Sequence, residues 1–134
     1  MFQSPILKTN VEIWTELSTM NNKNQESRDE EWLARLEAYV VSNLQTPGLI
    51  NEQVATHLNI SIAQLYRKLN RLLGTTPNLY VRNIRLRIAY EILNEGGATK
   101  VSEVAYKVGF NRVDYFSKLF EIKYGVRPKI LLKR

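Results

Sequence analysis

Two stretches of this chain, about fifty residues apart, read as copies of one another. Ala55 matches Ala105 at an offset of 50. Beyond a short turn the offset becomes 51: Leu65 with Phe116, Arg67 with Lys118, Leu69 with Phe120, Gly74 with Gly125, and Pro77 with Pro128. Helical periodicity alone does not explain a repeat this regular. The one-residue change in offset falls at the turn, where an insertion is best tolerated. The chain must therefore fold into two similar small units with something between them.

The pattern inside each copy says what the unit is. In the second copy Val101, Val104, Ala105 and Val108 recur at helical spacing and stop at Gly109. A second run follows, with Phe116, Leu119, Phe120 and Ile122. Gly109 suits the position after a helix end, where the backbone turns left-handed. Asn111 is expected to cap the next helix, with Asp114 in its first turn. In the first copy Val54, Ala55 and Leu58 point inward, Asn59-Ile60 turns, and Ser61 with Gln64 makes a capping box. The helix from Ile62 to Leu73 buries Leu65, Leu69 and Leu72 and closes at Gly74. Each copy is a helix-turn-helix, at about 51–73 and 101–124. Between them Thr76-Pro77 starts a helix that runs to about Asn94, before Gly96-Gly97. Tyr80, Ile84, Ile88 and Ile92 form its apolar stripe, flanked by Val81, Ala89 and Leu93. At 1.5 Å per residue that spacer spans roughly 27 Å, close to one DNA turn of about 34 Å. Arg82, Arg85 and Arg87 lie on it, placed to reach phosphates or to pair with Glu91 or Glu95. Pro128 starts a last short helix through Ile130, Leu131 and Leu132, and Lys133-Arg134 are expected to be mobile. The fold class is all-α, about seven helices.

The N-terminal part is less regular. Residues 1–28 read as a connector, partly disordered, with a short helix over 11–20. The run N-N-K-N-Q-E-S is expected to break it, and Trp14 is the residue most suited to docking on another domain or subunit. Ser27 with Glu30 fits a capping box that would open a helix over 29–44. Trp32, Leu33, Leu36, Val40 and Leu44 form its inner face, and Thr46-Pro47-Gly48 stops it. The main domain is then 29–134.

Charge narrows the function. The net formal charge is +6. Residues 1–60 hold four Lys/Arg against eight Asp/Glu, whereas residues 61–134 hold fifteen against five. A basic half carrying two helix-turn-helix units is the footprint of a polyanion binder. Enzyme chemistry finds no support, because no nucleotide-binding Gly motif or H-E-x-x-H is present. With no cysteine and the single His57, neither a metal site nor a cofactor is expected. No apolar run is long enough to cross a bilayer and no signal peptide opens the chain, so a cytoplasmic setting without membrane contact is expected.

The expected partner is double-stranded DNA, read in successive major grooves by the second helix of each unit. With the apolar positions buried, the first reading helix turns out Ile62, Ala63, Tyr66, Arg67 and Asn70. The second turns out Arg112, Val113, Asp114, Ser117 and Lys118. Arg67 and Arg112 can each take a guanine by a bidentate contact, worth roughly 1–3 kcal/mol of discrimination. Lys118 can take a guanine or a phosphate, and Asp114 can accept from a cytosine amino group. Ile62, Ala63 and Val113 can touch a thymine methyl. The alternative is a helical interaction module that sets the same basic face on an acidic protein partner.

The stretches S-I-A-Q-L-Y-R-K-L, L-L-G-T-T-P, I-R-L-R-I-A-Y-E-I-L, V-S-E-V-A-Y-K-V-G-F and Y-F-S-K-L-F-E-I-K-Y-G-V-R-P, in that order, resemble the DNA-binding domain of the AraC/XylS family of bacterial transcription regulators. The resemblance covers about residues 50–132. It implies promoter binding and activation of transcription, usually through contact with RNA polymerase. Family members normally carry a separate sensor domain, and none fits into residues 1–48. D-E-E-W-L and L-Y-R-K-L are similar to the output domains of hybrid two-component regulators. That similarity implies a linked sensor or receiver domain outside this chain. The sequence departs from the family pattern at Leu69-Asn70, where Phe-Lys is usual, at Glu121, where Lys is common, and at Ile50, where a capping Ser or Thr is usual.

Overall fold

The computed structural model describes residues 9–46 and 51–132. Pro47, Gly48, Ile50, Lys133 and Arg134, and residues 1–8 of the expected connector, lie outside the described residues. Six α-helices and one short 3-10 helix follow in order: α1 Asn10–Ser42, α2 Asn51–His57, α3 Ile62–Leu73, α4 Pro77–Asn94, α5 Val101–Lys107, α6 Val113–Tyr124 and a 3-10 turn over Pro128–Leu131. No strand occurs among the described residues. The chain divides into two compact units, the first ending at Ala34 and the second beginning at Arg35.

The first unit corrects two expectations. The helix starts not at Ser27 but at Thr9, whose hydroxyl accepts from the Glu12 N–H at 3.2 Å. The Glu12 carboxylate accepts in turn from the Thr9 N–H, also at 3.2 Å, which completes a capping box that the sequence reading passed over. The N-N-K-N-Q-E-S stretch does not break the helix; it lies inside α1. The physical reason is that it holds neither Pro nor Gly. Asn and Ser each cost only a few tenths of a kcal/mol against Ala, less than a second nucleation would cost. Trp14 is 69% exposed, and Val11, Ile13, Leu17 and Met20 are exposed beside it.

The second unit is built around α4. Thr76 caps it by accepting from the Leu79 N–H, with Pro77 at its first position. The expected single stripe is not what α4 buries. Tyr80, Ile88 and Ile92 are half-buried, while Pro77, Val81, Ile84, Leu86, Ala89 and Leu93 are buried. At 100° per residue Pro77, Val81 and Ile84 share one face, and Leu86, Ala89 and Leu93 share another about two-fifths of a turn round. The two halves of the helix thus serve two different cores. Leu86, Ala89 and Leu93 join Ala98, Val104, Ala105, Val108, Phe110, Phe116 and Phe120 in one cluster. Phe116 and Phe120 are wholly buried there, each worth roughly 1.5–3 kcal/mol of apolar transfer. Ile122, expected inward, is 74% exposed, because two residues past Phe120 the helix has turned to its opposite side. Val54, Ala55, Leu58, Leu65 and Leu69 are buried in the first copy, with Leu72 only half-buried. Leu36 and Val40 near the end of α1 and Leu44 in the turn after it are also buried, and Tyr39 stacks on His57 with ring centroids 4.1 Å apart.

Candidate nucleic-acid interface

The two tight turns set the aim of α3 and α6. In the first, Asn59 takes φ 57° and the Ile60 N–H donates to the Ala55 carbonyl at 3.0 Å. In the second, Gly109 takes φ 96° and the Phe110 N–H donates to the Ala105 carbonyl at 2.9 Å. This is one helix-ending motif used twice. The copies then diverge. Ser61 caps α3 through a complete capping box with Gln64. Asn111, expected as the cap of α6, is instead the inserted residue that changes the repeat offset. The cap position belongs to Arg112, whose side chain makes no capping bond.

Gly109 is fixed by more than its left-handed backbone. A Cβ there would stand 1.9 Å from the Leu44 carbonyl oxygen and 3.0 Å from Arg85 Nε. The end of the α1 segment therefore rests on bare backbone at this turn. Arg85 closes the contact by donating from an Nη to the same Leu44 carbonyl at 3.2 Å. Burial lowers the pKa of that guanidinium from its ordinary value.

The expected contact residues fall on two corresponding faces. On α3, Ile62, Ala63, Tyr66, Arg67 and Asn70 are exposed, above the buried Leu65 and Leu69. The Tyr66 hydroxyl accepts from Asn51 Nδ2 at 3.0 Å, which holds the ring against the start of α2. On α6, Arg112, Asp114 and Lys118 are exposed, and Val113 and Ser117 are half-buried. Offset by 51, Ile62, Ala63, Tyr66 and Arg67 correspond to Val113, Asp114, Ser117 and Lys118. The last four line one groove together with Glu121 of the same helix and with Arg127 and Lys129 beyond it. Neither Ala63 nor Val113 is sealed in the interior.

Two of these residues answer each other. Arg112 Nη donates to Asp114 Oδ2 at 2.9 Å, both side chains being 72% exposed. That hydrogen bond, before any other cause, holds the Asp114 carboxyl below the usual carboxylate range. Arg67 and Lys118 make no ion pair among the described residues. Glu121, the departure from the family pattern, is taken up by Arg127 Nε at 3.3 Å.

The spacer arginines separate into roles that spacing alone left open. Arg87 pairs with Glu37 and reaches Glu91 at 3.8 Å. Glu37 was not foreseen as its partner, since it lies fifty residues away in sequence. Tyr80 is pushed up to about pKa 12, first by burial and then by the nearby Glu37 carboxylate. Arg82 and Arg85 instead face a second concavity, of about 490 Å³, with Asn78, Leu79, Phe110, Asn111, Arg112 and Tyr115. Sequence reading marked Arg82 and Arg85 as phosphate candidates but did not bring them together with Asn111 and Arg112. No helical period links α4 to the α5–α6 turn.

Two paired helices, a left-handed turn between them and an outward polar face, all present twice, define a helix-turn-helix nucleic-acid-binding module. A family model described as a helix-turn-helix domain matches residues 54–134. The chain is 51% identical over 59 residues to the transcriptional activator RhrA of Rhizobium meliloti, covering 43% of this chain and 19% of that protein. It is 30% identical over 102 residues to Histidine kinase P4 of Formosa agariphila, covering 76% of this chain and 7% of that protein. Among solved structures, the C-terminal domain of AraT, a response regulator from Geobacillus stearothermophilus, superposes with a TM-score of 0.64 at 29% identity. That match covers 75% of this chain and 82% of the other. The chain belongs to the AraC/XylS family of transcription regulators. It spans less than a fifth of either curated relative. No helix among the described residues is long and apolar enough to cross a membrane.

Proposed function

We propose that this domain binds double-stranded DNA in a sequence-specific way, with α3 and α6 entering successive major grooves, and that it regulates transcription as an activator. The observation that carries this reading is the matched outward face of α3 and α6. Each sits on a fully buried ridge, Leu65 and Leu69 in one and Phe116 and Phe120 in the other. Within that face Arg67 and Arg112 are assigned to guanines, Lys118 to a guanine or phosphate, and Asp114 to a cytosine amino group. Ile62, Ala63 and Val113 meet thymine methyls, while Tyr66 and Ser117 flank them. Arg112 must partly exchange Asp114 for a base edge, so this contact forms only on a sequence that repays the lost pair.

Activation rests on the likeness to an activator and would act through contact with RNA polymerase. A kinase and a response regulator among the relatives support a linked sensor or receiver domain that controls this output. Residues 1–28 would be the connector to it, and the bacterial cytoplasm the setting. The test is a selection from random duplexes followed by binding of Arg67→Ala and Lys118→Ala. A defined motif, and binding weakened severalfold or more in both variants, is the expected result. Recovery of no motif would leave the acidic-partner reading instead.

A further inference from the structure

The concavity between the start of α4 and the α5–α6 turn carries a charge arrangement that the base-reading faces do not explain. Its walls bring three guanidiniums, Arg82, Arg85 and Arg112, to one hollow with the side chains of Asn78, Asn111 and Tyr115. No carboxylate among the described residues lines it. The Nε atoms of Arg82 and Arg85 are buried and have no hydrogen-bond partner. Arg85 spends one Nη on the Leu44 carbonyl, and Arg112 one Nη on Asp114. A guanidinium carries five N–H donors, so most donors here lack a protein partner among the described residues. Arg82 and Arg85 are half-buried, and partly desolvated cations this close together are costly unless an anion joins them. Planar Arg forks match the oxygens of a phosphoryl group better than those of a halide. The volume is many times the roughly 30 Å³ share of one water, so a phosphoryl group fits with solvent around it.

We propose that this hollow is a seat for a phosphoryl oxyanion, gripped by Arg82, with Arg85 and Arg112 adding positive charge beside it. Two sources share that chemistry: a backbone phosphate of the duplex beside α6, or a free phosphate group in solution. The first rests on the DNA-binding reading above; the second does not. Arg82 is the residue to vary. Arg85 is tied to the Gly109 turn, and Arg112 is already assigned to a base.

The experiment has two arms, each on the wild-type chain, Arg82→Gln and Arg82→Lys. One measures duplex affinity against salt. If the seat takes a backbone phosphate, Arg82→Gln weakens selected and random duplexes alike, about fivefold to tenfold, and lowers the salt slope by about 1. Arg82→Lys restores the slope. The other arm titrates inorganic phosphate, with chloride at matched ionic strength as control, and follows the arginine Nε–H resonances by NMR. If the seat takes free phosphate, the Arg82 and Arg85 signals move and saturate in the wild type, and the effect is lost in Arg82→Gln. An unchanged salt slope together with phosphate shifts no larger than those in chloride overturns the proposal. If the wild type binds no duplex, the DNA reading fails by itself and the phosphate arm alone decides the seat.

Discussion

At Gly109 a missing Cβ does two jobs. It permits φ 96°, and it admits the Leu44 carbonyl to a distance that any side chain would forbid. Gly109→Ala is therefore expected to cost roughly 2–4 kcal/mol in urea denaturation, combining left-handed strain with overpacking against backbone. Asn59, at the corresponding turn, tolerates its φ of 57° by itself, so Asn59→Gly should stay within about 0.5 kcal/mol. A loss at Gly109 no larger than that would remove the Leu44 contact from the account. The Arg112–Asp114 pair is the second residue-scale claim. Asp114 titrates below its unfolded value, so the pair's contribution is present above that value and fades as pH falls through the folded one. In an NMR titration the Asp114 carboxyl should move in the more acidic range, and Arg112→Ala should return it towards about 3.9. No change on removing Arg112 would contradict the pairing. The place of Asp114 in the first turn of α6 was readable from spacing; its partner was not, because a contact between residues two apart at a helix start depends on side-chain conformation.

Among the elements, α4 shows where pattern reading stops. A single helical stripe is legible when a helix lies on one surface. This one serves two cores, so its buried set turns from Pro77, Val81 and Ile84 to Leu86, Ala89 and Leu93 midway. Leu86 stood outside the expected stripe and is 2% exposed. Leu86→Ala should cost about 2–4 kcal/mol by chemical denaturation, and Ile88→Ala clearly less. The reverse order would restore the single-stripe picture. Helices α3 and α6 were easier, since Leu65 and Leu69, like Phe116 and Phe120, hold a strict four-residue spacing on one side. The boundary of α1 was harder, because a run rich in Asn resembles a linker while containing nothing that stops a helix. Lys23→Pro should accordingly reduce helical circular dichroism. An unchanged spectrum would mean that the helix is already broken there.

For the molecule as a whole, the charge split and the repeat were both plain in the sequence, and together they led to two readers on one strut. What spacing could not supply was the arginine hollow, assembled from residues about thirty apart by the packing of α4 on the second helix-turn-helix. The account turns on both readers engaging one duplex. Methylation interference on a selected duplex measures that directly, because it reports guanine N7 contacts in the major groove. The account predicts two interference clusters about 10 base pairs apart, with Arg67→Ala erasing one and Arg112→Ala the other. A single cluster, or two that respond to the same substitution, would contradict it.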